Sequence, residues 1–453
     1  MRSVISLVGR PNVGKSTLFN ALTGTRQALV YDMPGTTRDR QYGEAMIEER
    51  KVIVVDTGGL TTQKEGVETL MQDQVDQAIM ESQLVLFIVD AKAGLLAEDY
   101  RILKALRKYS TPMILVVNKV DAVRESVLLD FYELGLGEPL GISAAHRQGM
   151  NDLRNKILEL LPSEETDSLD SSDAVSNKVA IVGRPNVGKS TLVNRLLGEE
   201  RVVVYDMPGT TRDSIYIPFE RLGKQYTLID TAGVRRRSKV EEVLEKFSIV
   251  KTLNAIEDAQ VVVILIDATE NIVEQDLHLI GFALDAGKGI VIAVNKWDHL
   301  PEDQKARMKQ ELDRRLTFIE SFVDVHFISA KYGTGVGTLY PSIDLAYESG
   351  RRDLSTADIN RVLEAAVRDH EPPMVGGRRI KIRFGHVGGH QPLQIVLHGN
   401  QLERIPGSYK RYLIQVFRKA FKLRGVPIRL TCKSSVNPFV TAGKPKRTRQ
   451  DSE

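Results

Sequence analysis

Residues 9–18 read Gly9-Arg10-Pro11-Asn12-Val13-Gly14-Lys15-Ser16-Thr17-Leu18, and the same letters return as Gly183-Arg184-Pro185-Asn186-Val187-Gly188-Lys189-Ser190-Thr191-Leu192. In the pattern Gly-x4-Gly-Lys-Ser, the glycines let backbone N–H groups surround phosphate oxygens, the lysine reaches the β- and γ-phosphates, and the serine hydroxyl ligates Mg²⁺. A short apolar run precedes each copy and a helical pattern follows it, so each loop has a strand–loop–helix context. The sequence therefore predicts two phosphate-binding loops.

The repeat extends well beyond these loops. Tyr31 to Asp39 returns as Tyr205 to Asp213, and Asp56-Thr57-Gly58-Gly59 returns as Asp230-Thr231-Ala232-Gly233, both at an offset of 174 residues. Asn118-Lys119-Val120-Asp121 returns as Asn295-Lys296-Trp297-Asp298 at an offset of 177, and Ser143-Ala144 returns as Ser329-Ala330 at 186. The insertions fall between the repeated segments, as expected for loops.

The repeated acidic and hydroxyl residues suit a metal bound beside phosphates. Asp56 and Asp230 end apolar strands, where a carboxylate can hold a water of Mg²⁺. Threonines of the Gly-Thr-Thr-Arg-Asp segments are placed to close over that metal. The residues expected at Mg²⁺ are Ser16, Thr37 and Asp56 in the first copy and Ser190, Thr211 and Asp230 in the second.

The ordered set of segments resembles the translation-factor-like GTPases, and its doubling resembles the Der (EngA) family of tandem-GTPase ribosome-assembly factors. The resemblance assigns Asp121 and Asp298 to the N1–H and N2–H₂ edge of guanine, so GTP is favoured over ATP. The first GTP site is expected to contain Gly9, Arg10, Pro11, Asn12, Val13, Gly14, Lys15, Ser16, Thr17, Thr36, Thr37, Asp56, Thr57, Gly58, Gly59, Leu60, Asn118, Lys119, Val120, Asp121, Ser143 and Ala144. The second is expected to contain Gly183, Arg184, Pro185, Asn186, Val187, Gly188, Lys189, Ser190, Thr191, Thr210, Thr211, Asp230, Thr231, Ala232, Gly233, Val234, Asn295, Lys296, Trp297, Asp298, Ser329 and Ala330.

The glutamine that orients the attacking water in Ras-like enzymes has no counterpart here. Its place after Asp-x-x-Gly is taken by Leu60 and Val234, which cannot hydrogen-bond water, so no catalytic residue is assigned. Some relatives with asparagine in the phosphate loop use a bound K⁺ instead. Asn12 and Asn186 stand at that position, so the resemblance implies slow, K⁺-stimulated hydrolysis; the alternative is that each asparagine only holds its loop together.

Length and composition indicate a cytoplasmic protein of about three domains. The motifs and the resemblance to the Der family imply a GTPase domain at 1–162, an acidic flexible linker at 163–176, a second GTPase domain at 177–353, a KH-like basic domain at 354–440 and a basic disordered tail at 441–453. The two GTPase domains are expected to be α/β, with mostly parallel doubly wound sheets, and the last domain to be a small α+β unit. The longest apolar runs are strand-length, and a single cysteine, Cys432, excludes an intramolecular disulfide.

Positive charge is concentrated in the third domain. Residues 354–453 contain 19 lysines and arginines against 7 acidic residues, a net charge of +12. Because the whole chain is +3, residues 1–353 carry −9. Clustered charge of this size is typical of binding to a phosphate backbone.

The third domain is predicted as helix 356–369, strand 379–384, strand 393–397, helix 408–421 and strand 428–430. On the second helix, Tyr412, Val416 and Ala420 form an apolar stripe, and Lys410, Arg411, Arg418 and Lys419 supply charge. KH domains grip RNA with Gly-x-x-Gly between two helices. Here Gly385-His386-Val387-Gly388 has those letters but is predicted to lie between two strands, so RNA binding through basic side chains, or docking on a GTPase domain, is favoured.

The sequence as a whole predicts a monomeric, two-site GTP hydrolase that acts as a nucleotide switch on the large ribosomal subunit and its rRNA, with no membrane and no DNA partner. Two alternatives remain open. One is a GTP-binding RNA or ribosome-docking module with negligible turnover. The other is a tRNA-modification GTPase, which shares the Gly-Thr-Thr-Arg-Asp segment, although Cys432 lies in no motif of that family.

Overall fold

The computed structural model describes residues 2–24, 31–32, 41–57, 79–80, 82–162, 176–198, 202–204, 215–230, 249–374, 379–390 and 392–434. The predicted linker, apart from Ser176, and the predicted tail lie outside these residues. So do Thr36, Thr37, Gly58, Gly59 and Leu60 of the first predicted site, and Thr210, Thr211, Thr231, Ala232, Gly233 and Val234 of the second.

The first sheet is mostly parallel. Its strands in the described residues are β1 Ser3–Val8, β2 Tyr31–Asp32, β3 Gln41–Ile47, β4 Arg50–Asp56, β5 Leu84–Asp90, β6 Met113–Asn118 and β7 Leu140–Ile142. They lie in the order β2-β3-β4-β1-β5-β6-β7. The strands β4, β1, β5, β6 and β7 run parallel to one another, whereas β3 is antiparallel to both β2 and β4. The helices described with it are α1 Lys15–Thr23, α2 Ala97–Leu106 and α3 Met150–Leu160.

Helices cover both faces of this sheet, which explains why its central strands are apolar throughout. On β5, Leu86 and Ile88 pack on the side of α1 and α3, whereas Phe87 and Val89 pack on the side of α2. All of β5 is buried. A parallel strand buried on both faces needs a continuous apolar run rather than an alternating one, and the sequence of residues 84–89 supplies it.

The second sheet repeats the first. Its described strands are β8 Asn177–Gly183, β9 Val202–Val204, β10 Ile215–Arg221, β11 Lys224–Asp230, β12 Val261–Asp267, β13 Gly289–Asn295 and β14 Asp324–Phe327. Their order, β9-β10-β11-β8-β12-β13-β14, has the same pattern of parallel and antiparallel neighbours. The accompanying helices are α4 Lys189–Leu197, α5 Ile249–Asp258, α6 Glu274–Asp285, α7 Glu302–Arg315 and α8 Leu339–Arg351.

The third unit is small and α+β. It contains α9 Thr356–Asp369, β15 Lys381–His390, β16 Leu393–Asn400, α10 Gly407–Ala420 and β17 Ile428–Ser434, with β15 antiparallel and β17 parallel to β16. This is the predicted element order, with longer strands. The predicted architecture, two mostly parallel doubly wound α/β domains followed by a small α+β domain, is confirmed.

Two predictions within the third unit were wrong. Gly385 to Gly388 lies inside β15, where cross-strand pairing with β16 and two register irregularities accommodate the glycines. The buried stripe of α10 is Tyr409, Leu413 and Phe417. The predicted stripe lies at its margin, because Tyr412 and Val416 are half-buried and Ala420 is exposed.

The third unit packs on the second sheet unit. The Ile290 N–H donates to the carbonyl of Gly425, and the Gly425 N–H donates to the carbonyl of Phe322, both at 2.6 Å. Arg418, predicted as surface charge, has its guanidinium carbon 3.8 Å from the centre of the Phe322 ring, and burial lowers its pKa to about 10. No helix among the described residues combines the length and apolar composition needed to cross a bilayer.

Candidate active sites

Among the described residues, the predicted site segments of the first domain meet at one edge of its sheet. Gly9 follows β1, Asp56 ends β4, and Asn118 ends β6. These strands run parallel, so their carboxyl ends lie at the same edge, where ligands bind in doubly wound folds. In the second domain Asp230 and Asn295 end β11 and β13 in the same way.

Lys15 is the most unusual charge at the first site. Its ammonium donates to the carbonyls of Gly9 and Arg10, both at 2.8 Å, and the side chain is 5% exposed. Burial lowers its pKa to about 8. The two neutral carbonyls and the charges of Asp56 and Glu98 offset this burial only in part, so the first loop holds a positive charge that a phosphate would stabilise.

One asparagine connects three of the predicted segments. The Asn118 side chain donates to the carbonyl of Val13 at 2.8 Å and accepts from the N–H of Ala144 at 3.0 Å. The amide therefore joins the phosphate loop to the Asn-Lys-x-Asp and Ser-Ala segments. Gly14, at φ 95°, leaves room for this amide, because a Cβ there would lie 2.3 Å from Asn118 Nδ2.

The second loop has the same construction. The Lys189 ammonium donates to the carbonyls of Gly183 and Arg184 at 3.1 and 2.8 Å. Asn295 donates to the carbonyl of Val187 at 2.8 Å and accepts from the N–H of Ala330 at 2.9 Å. The lysine and asparagine contacts of the first loop therefore recur in the second loop.

Two oxygen groups suited to Mg²⁺ lie together in the first site. The Ser16 hydroxyl donates to a carboxylate oxygen of Asp56 at 2.8 Å. Hydroxyl and carboxylate oxygens are the hard ligands that Mg²⁺ prefers. These residues fit the ion that the sequence predicts, and within the described residues no separate cluster of three or more histidine, cysteine or acidic side chains could hold a metal.

The guanine-directed carboxylates lie on exposed turns just after β6 and β13. A hydrogen bond from Ser143 lowers the pKa of Asp121, and one from Ser329 lowers the pKa of Asp298. Both carboxylates are therefore ionised at neutral pH and can accept hydrogen bonds from a base. Trp297 stands beside Asp298, and its ring lies 4.2 Å, centre to centre, from that of Phe327.

Sequence reasoning missed the acidic partner of the lysine in each Asn-Lys-x-Asp segment. The Lys119 ammonium donates to Asp90 and to the carbonyl of Asn12, both at 2.7 Å, and Lys296 donates to Asp267. Asp90 and Asp267 end β5 and β12. They are separated by the same 177 residues as the Asn-Lys-x-Asp segments, and each precedes an alanine, so the repeat carried a signal for them.

Sequence reasoning also missed an ion pair between an arginine of each loop and a buried aspartate. Arg10 lies 3.3 Å from Asp99, and Arg184 donates to Asp276 at 2.9 Å. Both aspartates are fully buried near the starts of α2 and α6, where each also accepts from a backbone N–H. Glu270 gives Arg184 a further partner at 2.6 Å.

Two phosphate-loop folds, each with its loop bonded to an Asn-Lys-x-Asp segment, define a tandem P-loop GTPase. A family model described as "50S ribosome-binding GTPase" matches residues 4–119 and again 178–296. A model described as "KH-domain-like of EngA bacterial GTPase enzymes, C-terminal" matches residues 354–433.

Relatives named "GTPase Der" match almost the whole chain. The protein of Acinetobacter baumannii strain SDF is 54% identical over 440 residues, covering 97% of this chain and 93% of the relative. That of Saccharophagus degradans is 55% identical with the same coverage, and that of Hahella chejuensis is 54% identical over 98% of this chain and 93% of its own. The chain belongs to the Der (EngA) family and is a GTPase that converts GTP to GDP and phosphate.

Proposed function

We propose that both loops bind GTP with Mg²⁺ and that each hydrolyses it slowly. The observation that carries the proposal is the pair of matching lysines, each of which donates to two loop carbonyls. Bound phosphates would replace these weak acceptors with charged ones, and hydrogen bonds between charged groups are the stronger kind. The residues proposed to hold each nucleotide are the two sets that the sequence predicts for the first and second GTP sites.

The metal is proposed to lie between the serine and the strand-end aspartate. Ser16 and Asp56 would hold it in the first site, with Thr37; Ser190, Asp230 and Thr211 would hold it in the second. When bound, Mg²⁺ neutralises charge on the β- and γ-phosphates. The hydrogen bond between Ser16 and Asp56 supports this assignment, because it places the hydroxyl and the carboxylate oxygens close enough to bind one ion.

Hydrolysis without a glutamine is proposed to depend on K⁺ near the loop asparagines. Asn12 and Asn186 are exposed and adopt left-handed backbone conformations, with φ 65° and 61°. In the part of the chain that the structure describes, neither side-chain amide makes a hydrogen bond that would hold its loop together. Bound K⁺ would supply positive charge near the γ-phosphate, where an arginine acts in other GTPases.

Substituting the carboxylate proposed to contact guanine allows the two sites to be studied one at a time. Asp298→Asn is expected to weaken GTP binding at the second site on the order of 100-fold or more. The guanine edge would lose its acceptor, and a site binds a ligand poorly when a buried polar group is left unpaired. The same variant should accept xanthosine triphosphate, since the asparagine amide can donate to the carbonyl that replaces the guanine amino group. Titration with each nucleotide measures both effects.

The matched variant Asp121→Asn should show the same exchange at the first site. In each variant the remaining GTP turnover comes from the unaltered site, so comparing K⁺ with Na⁺ assigns K⁺ dependence site by site. Retention of two GTP equivalents by Asp298→Asn would refute the assignment of this carboxylate. Equal turnover in K⁺ and Na⁺ at both sites would refute the cation proposal.

We further propose that the protein acts as a cytoplasmic monomer in assembly of the large ribosomal subunit. The support is the family description, which names 50S binding, together with the net charge of +12 on residues 354–453. The γ-phosphate and Mg²⁺ can hold switch segments that relax after hydrolysis. Nucleotide state would thereby control attachment to rRNA.

Sedimentation with purified ribosomal subunits tests this role. In K⁺ buffer at a fixed salt concentration, the protein is expected to pellet with the large subunit in the presence of a non-hydrolysable GTP analogue and to remain in the supernatant with GDP. The small subunit is the control. Equal pelleting under analogue, GDP and no nucleotide, or none in all three, would remove the switch role and leave the GTPase assignment intact.

A further inference from the structure

The outer face of the third sheet presents aromatic and basic side chains instead of a plain polar surface. Ile395 and Leu397 of β16 point into the core beneath α9 and α10. Because side chains alternate along a strand, His398 lies on the opposite face. Its cross-strand neighbour on β15 is Phe384, and its neighbour on β17 is Lys433.

Phe384 and His398 form a preassembled stack. Their ring centres lie 4.5 Å apart and their planes differ by 5°. His386 lies behind His398, with 3.2 Å between the two Nε2 atoms. Phe384 is nevertheless 44% exposed, so much of its ring faces solvent while its orientation is fixed by the histidine.

Cations share the strands of this stack and no acidic residue does. Lys381 and Arg383 on β15 and Lys433 on β17 are exposed. The sequences of β15, β16 and β17 contain no aspartate or glutamate. The face therefore joins an aromatic surface to positive charge that no acidic residue of its own strands offsets, and this combination binds single-stranded nucleic acid without strong sequence preference.

The opposite end of the same face is already occupied. Arg429, at the start of β17, donates to the carbonyl of Asp285 at the end of α6. The aromatic end lies several residues further along the strand, next to Ser434, which pairs with Gly399. Beyond Ser434 the sequence continues into the basic segment Lys444 to Arg449, so further positive charge follows this strand along the chain.

We propose that Phe384 and His398 are a stacking platform for a base of single-stranded RNA, with Lys381, Arg383 and Lys433 contacting its phosphates. RNA proteins recognise unpaired bases by stacking them on aromatic rings. The platform would take over the task that Gly-x-x-Gly performs in a KH domain. This inference rests on the proposed ribosomal function and specifies how the third domain contacts RNA.

The test uses the full-length protein and a short single-stranded oligoribonucleotide that contains 2-aminopurine. Stacking on Phe384 should change the fluorescence of that base. Phe384→Ala is expected to weaken binding about 10-fold, as typical for loss of one stacked base, and to remove the fluorescence change. Phe384→Trp should restore both, because it retains an aromatic face.

Phe318→Ala is the matched control, since Phe318 is 51% exposed but lies between α7 and β14 of the second GTPase domain. It should bind the oligoribonucleotide like the unaltered protein. Thermal unfolding of each variant verifies that the third domain remains folded. Lys433→Ala should reduce the salt dependence of binding by about one ion, whereas Phe384→Ala should leave that slope unchanged.

Unchanged oligoribonucleotide affinity in Phe384→Ala would overturn the platform. If this variant still pelleted with large subunits like the unaltered protein, the ribosomal function would stand and only the platform would fall. If it lost pelleting but kept the oligoribonucleotide, the surface would contact a ribosomal protein, and the RNA inference would again be overturned. Failure of the unaltered protein to bind either RNA or subunits would remove both proposals.

Discussion

Lys15→Met is expected to abolish nucleotide binding at the first site and to raise the free energy of unfolding of the nucleotide-free protein at pH 7. The lysine is buried against carbonyl groups, and burial lowers its pKa from 10.5 to about 8. A shift of this size corresponds to a cost to the folded state on the order of 3 kcal/mol. The methionine side chain is unbranched and similar in size to that of lysine, but it carries no charge.

The pH dependence of this effect has a definite sign. Between pH 8 and 10.5 the unfolded chain binds a proton at Lys15 that the folded chain has released, so stability of the unaltered protein rises with pH in that window. The advantage of Lys15→Met should therefore be complete below pH 8 and vanish toward pH 10.5. Denaturant unfolding at several pH values measures it.

Lys104→Met is the control, because Lys104 is exposed on α2 in the same domain. It should alter neither stability nor nucleotide binding appreciably. Calorimetric titration should count one bound GTP in Lys15→Met and two in the control. If Lys15→Met kept both nucleotides, Lys15 would not be a phosphate ligand. If the variant were less stable than the unaltered protein at pH 7, the buried ammonium would not be destabilising.

Gly188→Ala is expected to disable the second site while leaving the first intact. Gly188 has φ 101°, and a Cβ there would lie 2.4 Å from Asn295 Nδ2. The asparagine would have to leave its bonds to Val187 and Ala330. Two buried hydrogen bonds would be lost, at about 1–3 kcal/mol each. We therefore expect the affinity of the second site for nucleotide to fall roughly 100-fold.

Gly223→Ala isolates backbone strain from this collision. Gly223 also has positive φ, 76°, but a Cβ there would meet no atom within 4 Å. It should cost only about 1–2 kcal/mol of left-handed strain and keep the nucleotide site. Because Trp297 is the sole tryptophan and lies beside Asp298, its fluorescence should respond to GTP in Gly223→Ala and not in Gly188→Ala. Equal responses would argue against the steric mechanism.

The positions of the two loops could be predicted because their chemistry is local. Lys15, Asn118 and Asp121 belong to short segments with fixed spacing, and the strand ends that carry them follow from apolar runs. Asp99 and Asp276 could not be predicted in this way. Each is a single acidic residue near a helix start, a common feature that also caps helices, and only the folded chain brings it to an arginine of the loop.

Two errors in the third domain have physical reasons. Glycines weaken strands, so Gly385 to Gly388 resembled a loop, but pairing along β16 on one side holds the segment extended. The stripe of α10 was displaced by one position because Tyr412 is amphipathic. Its hydroxyl donates to the carbonyl of Ala366, which keeps the ring at the margin of the core, while Leu413 is buried.

The bond between Asn118 and Val13 has a consequence for how the enzyme distinguishes nucleotides. The amide belongs to the segment proposed to contact the base, and the carbonyl belongs to the loop proposed to contact the phosphates. Binding energy at the two ends of the ligand is therefore not additive. A nucleotide with the wrong base is expected to weaken the support of its own phosphates as well, so we expect selectivity for guanine to exceed what contacts with the base edge alone supply.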